Sequence, residues 1–157
     1  MTENADAEQW YFAYGSNLSI DQMIARTGPI SQGNQGPRIA RLANYRLVFQ
    51  NVTSDEPAFA NIISPGDGVL GVVYRCNPAA LEKLDRFEQG YERRPITVAD
   101  EQGKLLAAVA YVFKTARGPN FGKPSAEYLN RIVTGARQHG LPEAYIAKIA
   151  ANAGIMG

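Results

Sequence analysis

Tyr11 to Leu18 reads YFAYGSNL, an apolar run that breaks on Gly-Ser-Asn directly before a helix start. Few local structures accommodate that order. Trp10, Tyr11, Phe12 and Tyr14 are aromatic strand formers, Gly15 takes backbone angles that other residues resist, and Ser16 and Asn17 add polar donors. Ser19, with Gln22 three places on, has the spacing of a capping box, so a helix is expected from there. Strand, glycine turn and helix start in succession gather unpaired backbone N–H groups at one point. Such a point suits a carboxylate or a phosphate, although an isolated Gly-Ser-Asn is more often an ordinary turn.

Beyond this stretch the apolar spacing predicts strands at 10–14, 44–50, 58–63, 69–75, 93–98 and 105–113. Ser64 to Gly68 has strong turn chemistry and suggests that 58–63 and 69–75 form an antiparallel hairpin. Helices are expected at 19–26, ending near Gly28, and at 78–88, with Asn77 as N-cap and Pro78 as the first helical residue. A third is capped by Ser125 and stops at Gly140, and a fourth starts at Pro142. Residues 28–38 read as a surface loop and 1–9 as a flexible leader. With hairpin-linked strands in the middle and helices at the C-terminus, the order is α+β within one domain spanning 1–157.

Composition narrows the function classes. Sixteen basic and fifteen acidic residues leave a formal charge of +1 and no long basic run, which gives no pull toward nucleic acid or anionic membrane. Cys76 is the single cysteine, so an internal disulfide and a cysteine-based zinc site are excluded. No apolar run approaches a membrane span, and the polar N-terminus lacks the pattern of a secretory signal, so a cytoplasmic location is expected.

One carboxylate is out of place. Leu81 and Leu84 mark the core face of the helix expected at 78–88, and Glu88 falls on the same stripe. Buried there, it would carry a raised pKa suited to proton transfer; at a frayed helix end it would simply reach water, and spacing alone favours the second reading.

YFAYGSNL, and Leu84-Asp85-Arg86-Phe87-Glu88 followed by Gly90, Tyr91 and Arg93, together resemble the two signatures of the gamma-glutamylcyclotransferase family. That family includes gamma-glutamylamine cyclotransferases and AIG2-like proteins. The resemblance continues through GVVY at 71–74, Ala110-Tyr111 and the segment from Tyr128 to Tyr145, so it covers nearly the whole chain. It implies a small, closed or nearly closed mixed β-barrel flanked by helices. It carries the catalytic acid/base role onto Glu88 and substrate binding onto Tyr14, Gly15, Ser16, Asn17 and Leu18. Tyr91, Tyr111 and Tyr128 lie in matching stretches and are expected to line the pocket, with Tyr91 placed to hydrogen-bond Glu88.

The implied reaction closes a γ-glutamyl amide to 5-oxoproline and releases an amine or amino acid, with no metal or cofactor. The expected partner is a small γ-glutamyl compound; nucleic acid and membrane are not expected partners, and oligomeric state is open. Because the glutathione-specific branch usually lacks the Asn of YGSN, γ-glutamyl amino acids or amines are the expected substrates. Loops at 52–57 and 114–124 are candidates for contacting the leaving group. Two rivals stand beside this reading: a ligand-binding or regulatory module of the same fold, and a thiol enzyme using Cys76 and His139. The second is weak, since a lone cysteine at a strand end is commonly a small apolar residue.

Overall fold

A computed structural model describes residues 7–51, 57–114 and 120–154. Its strands are β1 (Gln9–Ala13), β2 (Arg38–Leu42), β3 (Arg46–Asn51), β4 (Phe59–Ile63), β5 (Val69–Cys76), β6 (Tyr91–Asp100), β7 (Leu105–Phe113) and β8 (Asn120–Phe121). The helices are α1 (Ile20–Thr27), α2 (Pro78–Phe87), α3 (Ala126–Gln138) and α4 (Glu143–Asn152).

Five strands close a barrel in the order β1-β5-β2-β6-β7, and β4-β3-β8 form a separate three-stranded sheet. The barrel is mixed: β1 runs antiparallel to β5, pairing Tyr11 with Tyr74, and parallel to β7, pairing Tyr11 with Val109. Closure buries β1 almost throughout, which accounts for four consecutive apolar residues, Trp10 to Ala13, where an open sheet would alternate. Phe12, Val72, Val73, Tyr74 and Ala110 are fully buried in this core.

Helix starts follow their capping residues. Asn77 Oδ1 accepts from the Ala80 N–H at 2.8 Å and Ser125 Oγ from the Tyr128 N–H at 3.1 Å. Helix α2 buries Leu81 and Leu84 and ends one residue before Glu88. Gly90, at φ 92°, then supplies the left-handed turn that reverses the chain into β6.

One sequence expectation is corrected, and two strands were not expected. The strands at 58–63 and 69–75 exist as β4 and β5, but they belong to different sheets and form no hairpin. Their link packs elsewhere: the Gly68 N–H donates to Tyr45 O at 2.8 Å and Arg46 Nη1 to Pro65 O at 2.8 Å, so turn chemistry here serves a sheet-to-sheet crossing. Strand β2 was unforeseen because Arg38 and Arg41 interrupt its pattern. Arg38 in fact lies over the Trp10 ring, 5.0 Å from its centroid, and faces Asp100 at 3.6 Å, leaving Ala40 and Leu42 to the core. Strand β8, two residues long, is too short to leave a periodic signal. Among the described residues no helix is long and apolar enough to cross a membrane.

Candidate active site

The site lies at the barrel end where β1 and β7 finish and β6 begins. Past Tyr14 the chain makes one 3-10 turn, Ser16–Leu18, closed by Leu18 N–H to Gly15 O and Ser19 N–H to Ser16 O, each at 3.0 Å. The N–H groups of Ser16 and Asn17, first in the turn, have no acceptor among the described residues. Ser19 Oγ caps α1 by accepting from the Gln22 N–H at 3.2 Å. The return arm of the capping box is diverted: Gln22 Nε2 reaches Ser16 Oγ at 2.7 Å and Asn17 Oδ1 at 2.9 Å. The helix thus grips the turn that precedes it.

Asn17 is the hub of this loop. Its side chain donates to Tyr11 Oη at 2.9 Å and also accepts from Arg26 Nη1 at 3.2 Å, and the residue is 3% exposed. From behind, Tyr74 Oη donates to Asn17 O at 2.9 Å, while His139 Nε2 lies 3.0 Å from Leu18 O. The loop is therefore fixed before any ligand arrives.

Facing it is a cavity of about 230 Å³. Glu88 enters from the end of α2 with 18% of its side chain exposed, and Arg26 Nη1 lies 3.7 Å from its carboxylate. Burial raises the Glu88 pKa above the usual carboxylate range, and the Arg26 guanidinium pulls against that rise. Arg26 itself lies over the ring of Phe87, 4.7 Å from the centroid.

The tyrosines divide between two roles. Tyr91 Oη donates to Ala60 O at 2.6 Å and Tyr128 Oη accepts from the Ala60 N–H at 3.1 Å, so both polar groups of this β4 residue are held at the cavity wall. Tyr14 Oη donates to Tyr111 O, and Tyr111 Oη to Asp85 Oδ1 at 2.6 Å, with Arg93 Nε on the same carboxylate oxygen at 2.9 Å. Burial holds the pKa values of Tyr11, Tyr14 and Tyr91 well above their ordinary value of 10 and pushes Tyr128 up to about 12. All are neutral near pH 7, which leaves Glu88, Arg26 and Arg131 as the acidic and basic residues on the wall among the described residues.

Eight of the nine residues singled out from sequence meet at this cavity: Glu88, Tyr14, Gly15, Ser16, Asn17, Tyr91, Tyr111 and Tyr128. Leu18 does not; its side chain is fully buried and its N–H is already bonded to Gly15. The expected hydrogen bond from Tyr91 to Glu88 is replaced by the one to Ala60, because Tyr91 heads β6 and points across to β4. Sequence reasoning missed Tyr11, Arg26, Phe59, Phe87 and Arg131, which also line the space. For Arg26 a signal existed, since Ser19, Gln22 and Arg26 are spaced three and four apart and make a polar stripe on α1. Most of the two candidate leaving-group loops, residues 52–56 and 115–119, lies outside the described residues. Cys76 is buried at the far end of β5 with its thiol pushed up to about 12, and neither it nor His139 lines this cavity.

A small closed mixed barrel with a ligand-sized pocket at one end is the class that fold and site define. Known proteins narrow it. Residues 68–149 match the AIG2-like family. A curated relative from Bos taurus, named Gamma-glutamylcyclotransferase, is 34% identical over 149 residues, covering 88% of this chain and 76% of that protein. The Homo sapiens protein of the same name is 34% identical over 151 residues, covering 90% and 77%. A solved structure titled Gamma-glutamyl cyclotransferase superposes with a TM-score of 0.78 at 32% identity, covering 92% of this chain and 88% of the other. The chain belongs to the AIG2-like, gamma-glutamylcyclotransferase family, and it is an enzyme of that family.

Proposed function

We propose that the chain converts a γ-glutamyl amino acid or γ-glutamyl amine to 5-oxoproline and the free amino acid or amine, with Glu88 as the single acid/base. The observation that carries this reading is the Glu88 carboxylate, sunk in a small cavity opposite a prefixed loop, with its pKa raised by burial. The names of the relatives support the reaction class.

In a γ-glutamyl amide the nucleophile and electrophile share one molecule, so holding the chain folded removes much of the entropic barrier. The remaining difficulty is protons. Glu88 takes one proton from the α-ammonium, and the freed amine attacks the γ-carbonyl carbon to form the ring C–N bond. Glu88 then delivers that proton to the departing nitrogen as the amide C–N bond breaks. The ring nitrogen, still carrying one proton too many, returns it to Glu88, and the departing amine takes it up in turn.

Placing the ammonium on Glu88 puts the α-carboxylate, on the same carbon, beside Arg26. The Ser16 and Asn17 N–H groups are then left for the oxygen of the γ-carbonyl as it gains charge. The neutral tyrosines close the walls around the glutamyl chain. Incubation with γ-glutamyl amino acids, γ-glutamyl amines and glutathione, read as 5-oxoproline by mass spectrometry, tests the reading. Product is expected from the first two groups; folded protein that yields none from any compound would point to the ligand-binding module instead.

A further inference from the structure

Arg26 and Arg131 both line the cavity, yet they are differently engaged. Arg26 is tied to Glu88, to Asn17 Oδ1 and to the Phe87 ring. Among the described residues Arg131 meets one charged neighbour, Glu127, one helical turn earlier on α3, at 3.6 Å, and Glu127 is almost fully exposed. Such a solvent-screened pair is weak, so it yields readily to a better anion.

Depth separates the two cations. Tyr11 and Tyr14 form the buried floor, whereas Phe59 at 41% exposed and Arg131 with 39% of its side chain exposed stand at the mouth. Arg131 follows Tyr128 by three residues, so both project from one face of α3, and the Tyr128 ring lies edge-on to Phe59 at 5.2 Å. If the glutamyl part occupies the floor beside Glu88 and the loop, whatever is attached to its γ-carbonyl points outward past Phe59 and Tyr128 toward Arg131.

We propose that Arg131 is a specificity-determining residue that reads a carboxylate on the leaving group, so that γ-glutamyl amino acids are preferred over γ-glutamyl amines that lack one. This rests on the cyclotransferase reading above and refines it. A planar guanidinium matches a carboxylate in a two-point contact, while an amine leaving group presents nothing for it to bind.

The test compares kcat/KM for γ-glutamyl-alanine and γ-glutamyl-ethylamine, which differ by that carboxylate alone, in wild type, Arg131→Gln and Arg131→Lys. The expected wild-type ratio favours the alanine compound by about tenfold or more, the range of a charge-assisted contact. Arg131→Gln should bring the ratio toward one, Arg131→Lys should restore part of it, and added salt should shrink it in wild type. A wild-type ratio near one, or a ratio unchanged by Arg131→Gln, would overturn the proposal while leaving the reaction intact. Absence of 5-oxoproline from both compounds would overturn the cyclotransferase reading, and this proposal with it.

Discussion

Glu88 sits where two opposing influences meet. Burial lifts its pKa and Arg26, 3.7 Å away, holds the rise in check. In the proposed reaction Glu88 must be ionised to accept the first proton, so activity should climb with pH through its pKa. Arg26→Met removes the restraining cation and should move the acid limb of the kcat/KM profile to higher pH; an unmoved limb would detach Arg26 from Glu88. The variant should also raise KM, since Arg26 is assigned the α-carboxylate. The sequence marked Glu88 as anomalous by its place on a leucine stripe, but could not tell a buried carboxylate from a frayed helix end. That depends on α1 docking against α2, which brings Arg26 over Phe87 and beside Glu88. No local pattern carries that contact, and for the same reason Arg131 went unnoticed.

Between elements, the tightest constraint is α3 against the loop. A Cβ on Gly135 would stand 2.3 Å from Leu18 C and Ser19 N, so the helix lies directly on the turn's backbone. Gly135→Ala must push α3 and the loop apart, at a cost of about 1–3 kcal/mol in unfolding free energy. It should also slow turnover, read as a lowered kcat, because the displaced segment carries the Ser16 and Asn17 N–H groups that the proposed reaction turns toward the developing oxyanion. Unchanged melting would show that the loop moves freely. Element starts were the most legible part of the sequence: Ser19, Asn77 and Ser125 all cap the helices foreseen for them. Pairing was the least legible. Turn residues at Ser64 to Gly68 signal a change of direction without saying which sheet the next strand enters, and the two arginines of β2 hid a strand in which Arg38 lies over Trp10.

At the scale of the molecule, barrel, loop and C-terminal helices join at His139, whose Nε2 lies 3.0 Å from both Leu18 O and the Tyr74 hydroxyl. Burial lowers its pKa below the ordinary 6.5, against a raising contribution from the Leu18 carbonyl. A depressed pKa gives stability that is present above pH 6.5 and lost as pH falls through the folded value. Melting temperature should therefore drop on mild acidification, and less so in His139→Gln. Glu88 acts in the other direction: its raised pKa contributes stability below its ordinary 4.5 that is lost as pH rises through the folded value. Glu88→Gln should thus melt no lower than wild type at pH 7, so a loss of activity in that variant is not a loss of fold. The closed barrel itself was visible in the sequence through family resemblance alone, since closure depends on the parallel β1–β7 seam between strands far apart in the chain. The central claim is that Glu88 moves the protons of a cyclisation, and it is tested most directly by the rate of 5-oxoproline formation from a γ-glutamyl amino acid by Glu88→Gln beside wild type at pH 7. The account predicts a fall of about 100-fold to 10,000-fold in kcat with melting retained; a variant that keeps wild-type turnover would contradict it.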